Sequence, residues 1–147
     1  MSENVRRPKE HEEMMYELCQ TKEAIFDTFK DCLVFSACLG AARGNRRSFE
    51  RSAEPVGIHI FRDKFDLAIF QILGIFEEAD PSIMSDASKS ARVTIFEEYA
   101  CGGLDILKER VFDAPDDNHL AFVSLLKDTK KTGNNILSDI TDAIGSP

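Results

Sequence analysis

The sequence predicts a mainly α-helical fold: a single compact domain of about five or six helices with a small β-hairpin near residues 48–61. Three observations support this class. The chain has 147 residues, of which 43% are hydrophobic, which suits one core. Residues 24–39 and 64–79 are apolar around most of a helical circumference. The segments beside them carry apolar residues at helical spacing, and no internal repeat or domain boundary interrupts residues 1–147.

The first half of the chain predicts two helices. Residues 8–19 place Met14, Met15, Leu18 and Cys19 on one side of a short amphipathic helix. Residues 24–39 are apolar apart from a narrow polar stripe, so we expect the central buried helix there. This helix and the helix over residues 64–79 are each apolar enough to bury the other.

A basic loop and a strand follow the central helix. Gly40 and Gly44 loosen the helix end, and residues 43–51 then contain four arginines and one glutamate. Residues 54–61 are rich in β-branched side chains in alternation, which predicts a short strand with Pro55 at its start. We expect residues 48–51 to pair with it as a hairpin.

The second half predicts three further helical segments. Asp63 is placed to cap the helix that begins at Lys64, and Pro81 favours a new turn. Residues 86–112 form a long amphipathic pattern that contains Gly102-Gly103. Two glycines inside a helix cost about 1 kcal/mol each relative to alanine, so we expect them to permit close helix packing or a kink. Another helix begins near Leu120 and ends near residues 132–134.

The last segment, residues 133–147, carries one apolar stripe. A helix this short is marginal on its own, so it must dock on this domain, on a second copy of the chain or on a partner. We predict a partner-binding role for the stripe, which consists of Ile136, Leu137, Ile140 and Ile144.

Several function classes lack their usual sequence signals. No apolar run is long enough to cross a membrane, and residues 1–7 lack the apolar core of a secretory signal, so we expect a cytoplasmic protein. The four cysteines show no CxxC pair, which favours free buried thiols over a zinc site or a redox dithiol. No dinucleotide, P-loop, serine-hydrolase or zincin motif occurs. The sequence therefore predicts no cofactor, no metal and no catalytic residue, and favours a protein that is not an enzyme.

Charge provides the strongest local signal. Residues 1–64 carry 11 basic and 11 acidic side chains, whereas residues 65–147 carry 7 and 15, so the whole net charge of −8 lies in the second part. We predict that a group of arginines contacts phosphates of nucleic acid. The alternative is a solvated loop, or one paired with the acidic second part of the chain. The arginines are Arg43, Arg46, Arg47 and Arg51.

Several segments together resemble a known family. They are Arg6-Arg7-Pro8-Lys9-Glu10, residues 30–37 with Leu39-Gly40, Glu54-Pro55-Val56, and the run over residues 95–107. From about residue 6 to about residue 126 the chain is similar to small proteins associated with the Dnd system. The family motif is strongest at Phe96, Glu97, Glu98, Tyr99, Gly102 and Gly103.

The resemblance implies a bacterial setting beside genes for DNA phosphorothioation and for the restriction proteins that read this modification. It supplies no catalytic residue. The leading hypothesis is an accessory or regulatory protein of this anti-phage restriction system that contacts Dnd modification or restriction proteins. Direct DNA binding through the arginine loop is the alternative. A metal-dependent nuclease is the weaker alternative, since Asp63, Asp66, Glu97 and Glu98 would have to converge in the fold.

Overall fold

The computed structural model describes residues 4–130 of the chain. These residues belong to two compact units that divide after Lys108. The mainly α-helical class with a small antiparallel sheet is confirmed. In the first unit the described elements are β1 (Asn4–Pro8), α1 (Glu12–Gln20), α2 (Phe29–Ala42), β2 (Ser52–Gly57), α3 (Lys64–Glu78) and α4 (Lys89–Leu107).

Helix α1 begins later than its sequence pattern suggests, and so does α2. A 3₁₀ turn over Lys9–His11 precedes α1, whose predicted apolar side is confirmed as buried. Helix α2 starts at Phe29 rather than near residue 24, because the Thr28 hydroxyl accepts a hydrogen bond from the Asp31 N–H at 3.1 Å. An N-cap of this kind satisfies a backbone donor that the helix leaves unpaired. Hydrophobicity alone therefore placed the start of α2 wrongly.

The predicted strand exists, but its partner is different. Strand β2 pairs antiparallel with β1, with Val5 opposite Val56 and Arg7 opposite Ala53. The pairing with residues 48–51 was wrong, and a 3₁₀ turn replaces the strand over Ile58–Ile60. The sequence pattern did not predict β1, because two of its five residues, Arg6 and Arg7, are charged. Arg7 is nevertheless buried, with its guanidinium over the Phe29 ring and Nε donating to the Glu54 carbonyl at 2.7 Å.

Helices α2 and α4 form the main helix interface, and glycines let their backbones approach closely. A Cβ at Gly103 would lie 1.8 Å from the Ser36 carbonyl oxygen, and one at Gly40 would lie 2.1 Å from the Tyr99 carbonyl oxygen. Both distances are far shorter than any real Cβ contact. Of the two expectations for the Gly102-Gly103 pair, close packing is thus the one confirmed.

Helix α3 is less buried than its composition suggests. Phe70, Leu73 and Gly74 are buried, and Phe70 stacks on Phe96 of α4 with ring centroids 4.3 Å apart. We expected α2 and α3 to bury each other, but they touch only slightly, because both helices pack mainly on α4. An apolar face of α3 therefore stays exposed.

The second unit contains the end of a π-helical turn over Lys108–Phe112 and a helix, α5, described over residues 118–130. Arg110 donates to the Asp128 carboxylate within this unit. The predicted partner-binding stripe from Ile136 to Ile144 lies outside the described residues. Among the described helices, none combines the length and apolar composition needed to cross a membrane.

Candidate functional site

The arginine loop, residues 43–51, connects α2 to β2 and is held against α4 by hydrogen bonds to backbone carbonyls of that helix. The Asn45 side-chain amide donates to the Gly102 carbonyl at 2.9 Å, and the Arg47 backbone N–H donates to the Glu98 carbonyl at 3.1 Å. At the loop's start Gly44 adopts a φ of +63°, a conformation that favours glycine. The loop is therefore positioned on α4 by hydrogen bonds that do not use its charged side chains.

Arg46 connects α3 and α4 through two carboxylates. Its guanidinium lies 2.7 Å from Glu77 and 2.8 Å from Glu98. The Tyr99 hydroxyl donates to the same Glu77 carboxylate. Burial and this hydrogen bond raise the pKa of Tyr99 to about 12, so the hydroxyl stays protonated at neutral pH. The Glu77–Arg46–Tyr99 cluster is thus a hydrogen-bonded junction between the loop and two helices.

Arg47 makes the more extensive ion pair. Its Nε and Nη2 lie 2.6 and 2.8 Å from the two oxygens of Asp105, and Nη2 is 2.9 Å from Glu10. This forked geometry matches a planar guanidinium to a carboxylate and gives a strong charge-assisted pair. Burial alone would raise the pKa of Asp105, but the hydrogen bonds from Arg47 and His11 outweigh it and lower that pKa.

Three residues with metal-ligating donor atoms lie beside this pair, although no ligand spacing in the sequence predicts them. Donor atoms of His11, Cys101 and Asp105 lie within 4.8 Å of one another. However, His11 Nε2 is 2.7 Å from Asp105, and Arg47 holds both oxygens of that carboxylate. Burial also raises the pKa of Cys101 to about 12, which disfavours the thiolate that a metal needs. The arrangement therefore favours a hydrogen-bonded ion pair over a metal site.

The four acids of the nuclease alternative do not converge. Asp66 and Asp63 lie 2.9 and 3.4 Å from Lys30, whereas Glu97 and Glu98 bind Arg6 and Arg46. Among residues 4–130, the only cluster with metal-ligating spacing contains none of these four acids.

The predicted phosphate-binding arginines are divided by the structure. Arg46 and Arg47 are engaged by carboxylates of α3, α4 and Glu10. Arg43 and Arg51 lie near the two ends of the loop and are exposed. The sequence analysis left open that the arginines pair with acids of residues 65–147. This alternative is confirmed for Arg46, which binds Glu77 and Glu98, and for Arg47, which binds Asp105.

The family-motif residues contribute mainly to packing. Phe96 is fully buried, and Gly102 and Gly103 permit the close approach of the α4 backbone. Glu97 is 4% exposed and accepts from the Arg6 N–H at 2.6 Å and from its Nε at 3.2 Å. Burial raises the pKa of Glu97 despite these bonds. The motif thus joins β1, α2 and the arginine loop to α4.

Sequence reasoning missed an exposed apolar face on α3, which we call the α3 face and define as Phe65, Ile72 and Phe76. These side chains are 64, 57 and 63% exposed and share one side of the helix at spacings of seven and four residues. Beside Phe65, a groove of about 470 Å³ is lined in part by Val34, Phe35 and Cys38. An all-round apolar pattern predicts burial, so the sequence could not distinguish this face from core.

These observations define a small, mainly α-helical protein whose arginine loop is paired to its own helices and whose third helix exposes an apolar face. Residues 4–142 match the family described as DNA sulphur modification system-associated protein 4. The match covers most of the chain, and the chain belongs to this family, as the resemblance predicted. A search of curated proteins finds no match, and a search of solved structures finds none either.

Proposed function

We propose that this protein is an accessory or regulatory component of a DNA phosphorothioation-linked restriction system that defends bacteria against phage. It acts in the cytoplasm by binding a Dnd modification or restriction protein. Family membership associates the chain with the sulphur modification system. The α3 face is the observation that carries the proposed contact.

The α3 face suits a protein partner because it is contiguous and built from large side chains. Scattered single apolar residues are normal on protein surfaces, whereas a continuous apolar patch marks an interaction site. Aromatic side chains are enriched at the centres of interfaces, and this face holds two. The groove beside Phe65 extends the apolar surface toward α2 and offers a pocket for an anchoring side chain.

We expect affinity purification of the tagged protein from its native host to recover Dnd modification or restriction subunits, with or without nuclease treatment. Phe65→Glu/Ile72→Glu should reduce this recovery at least about tenfold, because a charge in the contact must be desolvated. Mass spectrometry of the eluates measures the ratio.

The matched control is Tyr16→Glu/Ile60→Glu, which changes two exposed apolar residues elsewhere on the first unit. This variant should retain full recovery. A purification that enriches no Dnd or restriction protein would contradict the proposed role, and recovery of a second copy of this chain alone would replace it with self-association.

Direct DNA binding is the second candidate, supported by the exposure of Arg43 and Arg51. Arg46 and Arg47 are held by carboxylates, so Arg43 and Arg51 would have to supply about two phosphate contacts, and Arg43 would have to exchange a contact that it already makes within the protein. Two contacts predict an affinity that falls about tenfold between 50 and 200 mM salt. A mobility-shift titration should show this dependence, and Arg43→Ala/Arg51→Ala should abolish the shift. An unshifted duplex at 50 mM salt would contradict DNA binding through this loop.

A further inference from the structure

A cavity of about 360 Å³ lies in the first unit, where the segment after β2 meets α3 and the start of α4. Its volume falls within the range of about 300–1,000 Å³ that small-molecule sites occupy. The cavity shares no lining residue with the α3 face.

The charge of this cavity has one sign. Arg62, Lys89 and Arg92 line it, and none of its described lining residues is acidic. The nearest acids along the chain from Arg62 are Asp63 and Asp66, and both bind Lys30 instead. Three cations with no acid among the described lining residues give the cavity a local positive potential, although the net charge of the protein is −8.

Arg92 is held in position independently of any ligand. Its Nη1 donates to the carbonyls of Ile83 and Ser85, both at 2.7 Å. Both acceptors are neutral, so these bonds orient the guanidinium without cancelling its charge. Lys89 is the first residue of α4, so the positive end of that helix adds to the same potential. A preorganised cation of this kind binds a phosphate with little loss of side-chain entropy.

The remaining lining is apolar or able to form neutral hydrogen bonds. Phe61 and Phe70 line the cavity and are buried, and Leu67 lines it with about half of its surface exposed. His59 presents an exposed ring, and the Gln71 amide offers both a donor and an acceptor. An apolar surface with an aromatic ring and one amide complements a nucleobase, which has a flat face and a polar edge.

We propose that this cavity binds a nucleotide, with its phosphate on Arg62, Lys89 and Arg92 and its base against the apolar lining. The phosphate comes either from a free nucleotide or from a DNA terminus. This site goes beyond the proposed partner contact and does not depend on it, because different residues form the two surfaces.

The test is calorimetric titration of the full chain with ADP, adenosine and inorganic pyrophosphate. We expect ADP to bind at least about tenfold more tightly than adenosine, because the three cations recognise the phosphates. Pyrophosphate should bind more weakly than ADP, since it leaves the apolar lining unfilled. Arg62→Ala/Lys89→Ala should weaken ADP at least about tenfold. Both side chains are exposed, so the fold should survive, as circular dichroism would verify.

The matched control is Lys22→Ala/Lys127→Ala, which removes the same charge from exposed positions outside the cavity and should leave ADP affinity unchanged. Fluorescence anisotropy with 5′-phosphorylated and unphosphorylated duplexes distinguishes the two sources. Phosphate-dependent duplex binding that ADP displaces identifies a DNA terminus, whereas ADP binding alone identifies a free nucleotide. The proposal is overturned if neither ADP nor phosphorylated duplex binds, or if Arg62→Ala/Lys89→Ala binds both as tightly as the unaltered chain.

Discussion

Gly103→Ala should destabilise the protein by about 3 kcal/mol or more, the largest effect we expect from one added methyl group. The new Cβ would lie 1.8 Å from the Ser36 carbonyl oxygen and 2.5 Å from its carbon. Both atoms belong to the α2 backbone, which cannot rotate aside as a side chain can. The α2–α4 interface must therefore separate, and the packing around it is lost. Urea unfolding followed by circular dichroism measures the change.

Gly74→Ala is the matched control, since it makes the same substitution inside α3. There the nearest atoms are side-chain carbons of Ile83 and Arg92, at 3.1 and 3.3 Å. These atoms can shift by a few tenths of an ångström, and alanine favours the helix by about 1 kcal/mol. We expect the stability of this variant to lie within about 1 kcal/mol of the original. If the two variants were equally stable, the packing of α2 against α4 would not require glycine at position 103.

Asp105→Ala should destabilise the first unit by about 2–4 kcal/mol at neutral pH. The carboxylate accepts from Arg47 through both oxygens and from the buried His11 ring. His11 Nδ1 is buried without a hydrogen-bond partner among the described residues, so removing Asp105 leaves the whole ring unsatisfied. The loss combines a broken ion pair with an unpaired buried donor. Urea unfolding at pH 7 measures it.

The stability lost in Asp105→Ala should depend on pH, because the carboxylate of Asp105 titrates. Because the folded pKa of Asp105 is lowered, its contribution is present above the unfolded value and disappears as pH falls through the folded value. The difference between the original chain and Asp105→Ala should therefore shrink below about pH 4. Asp63→Ala is the control, because Asp63 is exposed and 3.4 Å from Lys30, and it should change stability by less than about 1 kcal/mol. A loss for Asp105→Ala that is equal at pH 7 and pH 3 would contradict an ionic contribution.

These predictions give the family motif a physical meaning. Glu98 and Tyr99 contribute to the junction that holds the arginine loop, whereas Phe96 and the two glycines shape the interface of α4 with its neighbours. Glu97 anchors β1 through Arg6. The motif therefore maintains the shape of the first unit.

The sequence by itself determined the helical class, the strand at β2, the bounds of α3 within one residue, and the family. These features depend on local patterns, namely hydrophobic period and β-branched runs, which neighbouring residues create together. The predicted capping role of Asp63 was wrong, because its side chain makes no capping hydrogen bond to α3. For Gly102-Gly103 the local cost of two glycines inside a helix indicated either close packing or a kink, and the structure decided for close packing.

Tertiary structure alone decided which apolar residues are buried and which charges are paired. Phe65 and Phe70 belong to the same apolar helix, yet only Phe70 meets α4. Arg47 and Arg51 belong to the same basic loop. Among the described contacts, Asp105 binds Arg47, from which it is 58 residues distant along the chain, and does not bind Arg51. Arg62 and Arg92 become neighbours of one cavity only when the segment after β2 meets α4. Contacts between residues distant in sequence leave no periodic signal. The residues around each partner would look the same if that side chain faced solvent instead.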